Sequence, residues 1–124
     1  MSNTRLTVVV RKDLQLSEGL LAAQVSHIVN EWIKDKVLCE KPFTQNEKDW
    51  LAEPYLSVLA VGCWEELHHI EVQARNAFLP VWTWEDTIPM PTIEALFLKC
   101  KVGISIGPED FDKIKLVTGM LSLY

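Results

Sequence analysis

The sequence predicts an α/β fold: one domain over residues 1–124, with a four-stranded mixed β-sheet and helices on both faces. Three observations lead there. Short β-branched runs alternate with longer stretches whose apolar residues recur at helical spacing, in the order β-α-α-β-α-β-β-α, and strands alternating with helices argue for a mixed, largely parallel sheet. The first apolar run, "LTVVV", is continuous rather than alternating, as in a strand buried on both sides. A chain with 48% hydrophobic and 23% charged residues has the composition of a protein that buries a core.

The elements follow in order. Leu6–Val10 is the first strand, and "MSNTRLTVVVRKD" reads as that strand rather than a leader. "RKDLQLSEG" turns the chain into a helix from about Ser17 to Val37, with Ser17 as N-cap. "EKPF" breaks it. "TQNEKDWL" is a short second helix, with Thr44 at the N-cap and Glu47 three residues on, the capping-box spacing, and Pro54 ends that segment. Leu56–Gly62 is the second strand, Trp64–Ala77 a helix, Pro80–Glu85 the third strand and Lys101–Ile106 the fourth. Pro108 is expected at the first position of a last helix, with Glu109 and Asp110 in its first turn, running to Thr118 and stopping at Gly119. "PMPTIEALFLKC" stays open between a short helix over the sheet, a lid and an oligomer contact.

Composition narrows the function. No apolar run approaches the ~20 residues that span a bilayer. A net charge of −5 gives a field that does not favour polyanions overall, although a local basic patch remains compatible with it. Cys39, Cys63 and Cys100 form no close pair and leave an odd residue under any pairing, which points to reduced thiols and a cytoplasmic setting.

Ligands collect beyond the carboxyl ends of strands in such sheets. Three segments fit: Arg11–Gly19 after the first strand, Asp86 after the third, and the Gly107 turn after the fourth. On the long helix, Leu21, Val25, Ile28, Val29 and Trp32 form the core-facing stripe. At ~100° per residue a second face gathers Leu20, Gln24, His27 and Glu31. Gln24 and His27 are either a satisfied polar pair or substrate-holding groups beside a helix N-terminus, where free N–H groups favour an anion or oxyanion. Glu85 and Asp86 point to opposite faces, so at most one serves as base or water-orienting group. In "WEELHHIE", His68 and His69 are neighbours and nothing completes a metal-ligand set, so no metal site is expected. Trp82 and Trp84 share a strand face and read as packing residues rather than a stacking platform for bases.

Taken together, "VVVRKDLQLSEGLLAAQVSH", "LPVWTWED" and "ISIGPEDFDKIKLVTGMLSLY" resemble the type-2 peptidyl-tRNA hydrolase family, the archaeal and eukaryotic class, over nearly the whole chain. The most specific pieces are Arg11-x-Asp13-Leu14, the "AAQ-x-S-H" run from Ala22 to His27, the "LP…ED" strand and the "IGP…VTG-x-L-x-L-Y" ending. The resemblance implies a homodimer that cleaves the ester between peptide and tRNA without a cofactor. It implies Asp86, His27 and Gln24 as catalytic residues and Arg11 and Asp13 as substrate-binding residues; Gly19, at the helix N-terminus, and the cations Lys12 and Lys101 are further substrate-binding candidates read from the residues themselves.

The chain also departs from the family's pattern. Where typical members read "D-L-K-M-G-K-G-K-I-A-A-Q", the three lysine positions are Gln15, Glu18 and Leu20 here, so Leu20 heads a polar stripe because it stands where the family carries a cation. Val102 takes the position of a threonine. Lys12, Lys99 and Lys101 are the cations left to form a displaced basic rim. Two functions follow: an esterase that releases peptides from tRNA, or a scaffold turned to binding a protein partner or small ligand in a more apolar cleft.

Overall fold

The computed structural model describes residues 3–124. β1 (Thr4–Arg11) leads through a 3-10 turn (Lys12–Leu14) into α1 (Glu18–Leu38), followed by α2 (Gln45–Ala52), β2 (Leu56–Val61), α3 (Trp64–Asn76), β3 (Val81–Pro89), β4 (Phe97–Asp110), α4 (Phe111–Thr118) and β5 (Ser122–Leu123). The sheet therefore has five strands, not four, in the order β3-β4-β1-β2-β5. The added strand is two residues long and pairs with Leu59 and Ala60, too short to leave a pattern in the sequence.

The sheet is mixed but not largely parallel. Only β1 and β2 run parallel, while β1–β4, β3–β4 and β2–β5 are antiparallel. β3 is antiparallel to β4 and β4 to β1, so the carboxyl ends of β1, β2 and β3 share one end of the sheet. The Gly107 turn lies at the other end, because β4 runs back along β1 to pair Glu109 with Arg5 and Asp110 with Thr4. That pairing also overturns the expected helix start. Pro108 follows a cis peptide bond within β4, and α4 begins at Phe111 with Asp110 as N-cap, its carboxylate accepting the Asp112 N–H at 2.9 Å.

"PMPTIEALFLKC" is neither a helix nor a separate lid. β3 and β4 extend past their expected ends, pairing Thr87 with Lys99, Ile88 with Leu98 and Pro89 with Phe97. A turn closes the hairpin, with the Met90 N–H donating to the Leu96 carbonyl at 2.8 Å. The helical spacing of Ile93, Leu96 and Phe97 loses to two prolines and to burial of Ile88 beneath α1.

Helices cover both faces. Val9, Ile104 and Ile106 pack with Leu67, Ile70 and Ala74 of α3 and Ile114 of α4. On the other face, Val8, Val10 and Val102 meet Ile28 of α1, and Leu6 meets Trp32 and Trp50. Trp82 and Trp84 both pack on this second face, as their shared parity requires. The caps stand as read. Ser17 Oγ accepts the Leu20 N–H, the Thr44–Glu47 capping box is complete, and α4 stops at Gly119. Among the described residues no helix is long and apolar enough to cross a membrane.

The seat of α1 is set by one glycine and one bulge. Trp84 pairs with Gly103 and Glu85 with Lys101, which leaves Val102 unmatched. Val102 is thereby turned toward α1, and Gly103 lets the helix close in. A Cβ on Gly103 would stand 2.6 Å from the Val9 carbonyl oxygen and 2.9 Å from Ile28 Cδ1. Gly103→Ala is therefore expected to destabilise the protein by ~1–3 kcal/mol, read as a lower urea midpoint with an unchanged m-value.

Candidate functional site

α1 lies over the sheet with Gln24, Ile28 and Trp32 as its fully buried line, each one turn from the next. Gln24 was expected on a flanking polar face. It is instead 3% exposed, while His27 beside it stays in solvent. A buried amide must find partners. Gln24 Nε2 donates to Asp86 Oδ2 at 3.0 Å, and Gln24 Oε1 accepts from Trp84 Nε1 at 2.7 Å. The second Asp86 oxygen accepts the Thr87 backbone N–H at 2.8 Å. His27 lies flat against Trp84, with ring centroids 4.9 Å apart and planes within 15°. The three residues expected to be catalytic thus meet around one carboxylate.

The Gln24 hydrogen bond is the main cause holding the Asp86 carboxyl below the usual carboxylate range. Desolvation opposes it as the next largest effect, and the Thr87 N–H and the charge of His27 add smaller contributions in the lowering direction. Asp86 is therefore ionised at neutral pH. It sits within β3 near its carboxyl end, opposite Cys100.

The expected substrate-binding residues divide. Arg11 and Asp13 form a two-pronged pair, Nε to Oδ1 at 3.1 Å and Nη2 to Oδ2 at 2.8 Å, while Nη1 donates to the Lys101 carbonyl at 3.2 Å. Lys12, in the turn beside them, is exposed. Lys101 joins this cluster only through its backbone. Its ammonium is held 2.7 Å from Glu71 Oε1 of α3, on the opposite side of the sheet from Gln24. Gly19 lies in the first turn of α1. Hydrogen bonds to Ser17 occupy the N–H groups of Leu20 (3.4 Å, to Oγ) and Leu21 (2.8 Å, to the carbonyl), and among the described residues none engages the Gly19 N–H.

Most other cations are paired with carboxylates: Lys34 with Glu31, Lys36 with Glu47, Lys41 with Asp35, Arg75 with Glu71, Lys113 with Glu109 and Lys115 with Asp112. Arg5, which lies over the Tyr55 ring, and Lys12, Lys48 and Lys99 have no such partner among the described residues; of these, Lys12 and Lys99 lie at the Asp86 end of the sheet. No group of three or more His, Cys, Asp or Glu side chains is arranged to hold a metal ion among the described residues. The residue missed in the sequence is Trp84. Its position two before Asp86, on the same strand face, was the available signal.

The sequence matches the family model described as peptidyl-tRNA hydrolase PTH2 over residues 4–124. It is 30% identical to a peptidyl-tRNA hydrolase of Haloquadratum walsbyi over 118 residues, covering 94% of this chain and 96% of that protein. A peptidyl-tRNA hydrolase of Methanocaldococcus jannaschii is 29% identical over 124 residues, covering 96% and 98%. One from Methanopyrus kandleri is 34% identical over 117 residues, covering 94% of each.

The Glu71 cluster carries a pH-dependent share of stability. Burial pushes its carboxyl up, but the hydrogen bonds and charges of Lys101 and Arg75 outweigh it, and the net shift is downward. A depressed carboxyl contributes stability above its unfolded pKa and loses it as pH falls through the folded value. Glu71→Gln is expected to cost ~1–3 kcal/mol at neutral pH in urea unfolding. The gap to the parent should narrow progressively below about pH 4.3.

Proposed function

The chain belongs to the peptidyl-tRNA hydrolase PTH2 family, and we propose that it hydrolyses the ester of peptidyl-tRNA at Asp86. The observation that carries this reading is the Asp86 carboxylate, held ionised by Gln24 and the Thr87 N–H with exposed His27 beside it. A lowered pKa makes Asp86 a weak base but a good orienting group. It accepts a hydrogen bond from water and draws off its proton as the water oxygen attacks the ester carbonyl. The tetrahedral intermediate then collapses, the carbon–oxygen bond to the ribose breaks, and the leaving oxygen takes up the proton that Asp86 had drawn from the water, which returns Asp86 to its ionised form. His27 and Gln24 hold the substrate around the reacting carbon.

In this proposal the open Gly19 N–H at the start of α1 answers the developing oxyanion, in the place of the cation missing at Leu20. Lys12 and Lys99 supply the phosphate contacts, because they are the lysines at the Asp86 end that are not committed to a carboxylate. Arg11 and Asp13 brace the turn that carries Lys12. Lys101 braces the sheet from behind, through Glu71. A homodimer in a cytoplasmic setting belongs to the same reading. Phe78, Leu116 and Met120 stand out in solvent in the single chain, which supports the dimer.

Release of free tRNA from peptidyl-tRNA at low salt tests the proposal. Asp86→Asn is expected to lower the rate ~10²–10⁴-fold with an unchanged circular-dichroism spectrum. A parent that neither releases nor binds tRNA would leave the fold to a binding role. Leu20→Lys is expected to tighten tRNA binding and steepen its salt dependence by about one unit of slope, read from binding titrations at several salt concentrations.

A further inference from the structure

Gln24 sits between two groups of opposite and fixed character. The Trp84 indole N–H is a donor only, and the ionised Asp86 carboxylate is an acceptor only. An amide between them has one satisfied orientation, with Oε1 to the indole at 2.7 Å and Nε2 to the carboxylate at 3.0 Å. Rotated by half a turn, it would set donor against donor and acceptor against acceptor in a site where Gln24 is almost wholly buried. The carboxylate alone does not decide the matter as firmly, since an amide without the indole loses only one of its two constraints.

We propose that Trp84 is a positioning residue for Asp86, acting through Gln24: its indole N–H locks the amide so that the NH2 end always meets the carboxylate. Trp84 and Asp86 stand two residues apart on β3 and so share the face that Gln24 covers. The indole is fixed on its face as well as its edge, since the His27 ring covers it at 4.9 Å. The same side chain thus supports two of the three groups around Asp86. Its catalytic consequence rests on the hydrolase reading above, whereas the lock itself does not.

Trp84→Phe keeps an aromatic ring against His27 and removes the donor, together with part of the ring's volume, a loss that the Gln24→Leu background controls for. The charged and titratable groups facing Asp86 remain in the variant: His27 from α1 and Cys100 across the β3–β4 pair. Titration of the Asp86 carboxyl carbon by NMR is expected to move its midpoint upward, toward the ordinary carboxylate value, in Trp84→Phe. With peptidyl-tRNA, kcat is expected to fall ~3–10-fold with KM within twofold, and the acid limb of its pH profile to move up with the Asp86 midpoint. In a Gln24→Leu background the same Trp84 change is expected to add nothing, because the carrier of the effect is gone. An unchanged Asp86 midpoint, or a full Trp84 effect without Gln24, overturns the proposal. Should Trp84→Phe not fold, the parent decides. The Trp84 indole proton and the Gln24 amide protons must shift with the midpoint of Asp86, and independence of the three overturns the lock. A parent without hydrolase activity would sink the catalytic reading while the NMR arm still judged the lock.

Discussion

The approach of α1 to the sheet at Gly103 is the contact on which the rest of the molecule depends. Ile28 lies where a Cβ of residue 103 would otherwise stand, so the helix is held at glycine distance at its middle. With Ile28 seated, helical geometry assigns the neighbouring positions. Gln24 one turn earlier arrives over Asp86, and Trp32 one turn later enters the cluster with Leu6 and Trp50. A polar residue on the buried line is costly unless it is paired. Trp84 and Asp86 supply both partners, so the packing requirement and the chemistry of the site are met by the same hydrogen bonds.

The disposition of charge follows a similar economy. Glu71 holds both Lys101 and Arg75, and Asp13 holds Arg11. These cations are thereby neutralised locally, and little basic surface remains in a chain of net charge −5. Of the three lysines without a carboxylate partner among the described residues, Lys12, Lys48 and Lys99, two, Lys12 and Lys99, stand at the same end of the sheet as Asp86. An acidic protein that acts on a polyanion needs its few free cations close to the reacting group, since the overall field gives no help at a distance.

Legibility in the sequence varied with how local the determining interactions are. Ser17 and the Thr44–Glu47 capping box were readable because a cap bonds within three residues of itself. β1 was readable because burial on both faces leaves an unbroken apolar run. The extension of β3 and β4 was not, since Ile93, Leu96 and Phe97 carry a helical period and only pairing across the hairpin contradicts it. Pro108 misled for the same reason. It looks like a helix start locally, but β1 continues to pair through Asp110. Gln24, His27 and Asp86 were named from helix spacing and a strand end, and again from the family's motifs. Trp84 was assigned to packing, because a hydrogen bond to a residue 60 positions away has no trace in local spacing.

The sequence by itself determined the α/β class, the caps, the core-facing character of α1 and the family whose motifs it carries. These depend on periodicity, short-range hydrogen bonds and residue identity, all of which are written along the chain. Only the tertiary structure decided which residues of α1 are most buried, which lysines stay free, and that the fourth strand runs back to meet the start of the first. The physical reason is that strand direction, the Val102 bulge and the seat of α1 at Gly103 are set by contacts between distant segments. A rotation of that helix by a few tens of degrees would leave every local signal intact and move Gln24 away from Asp86.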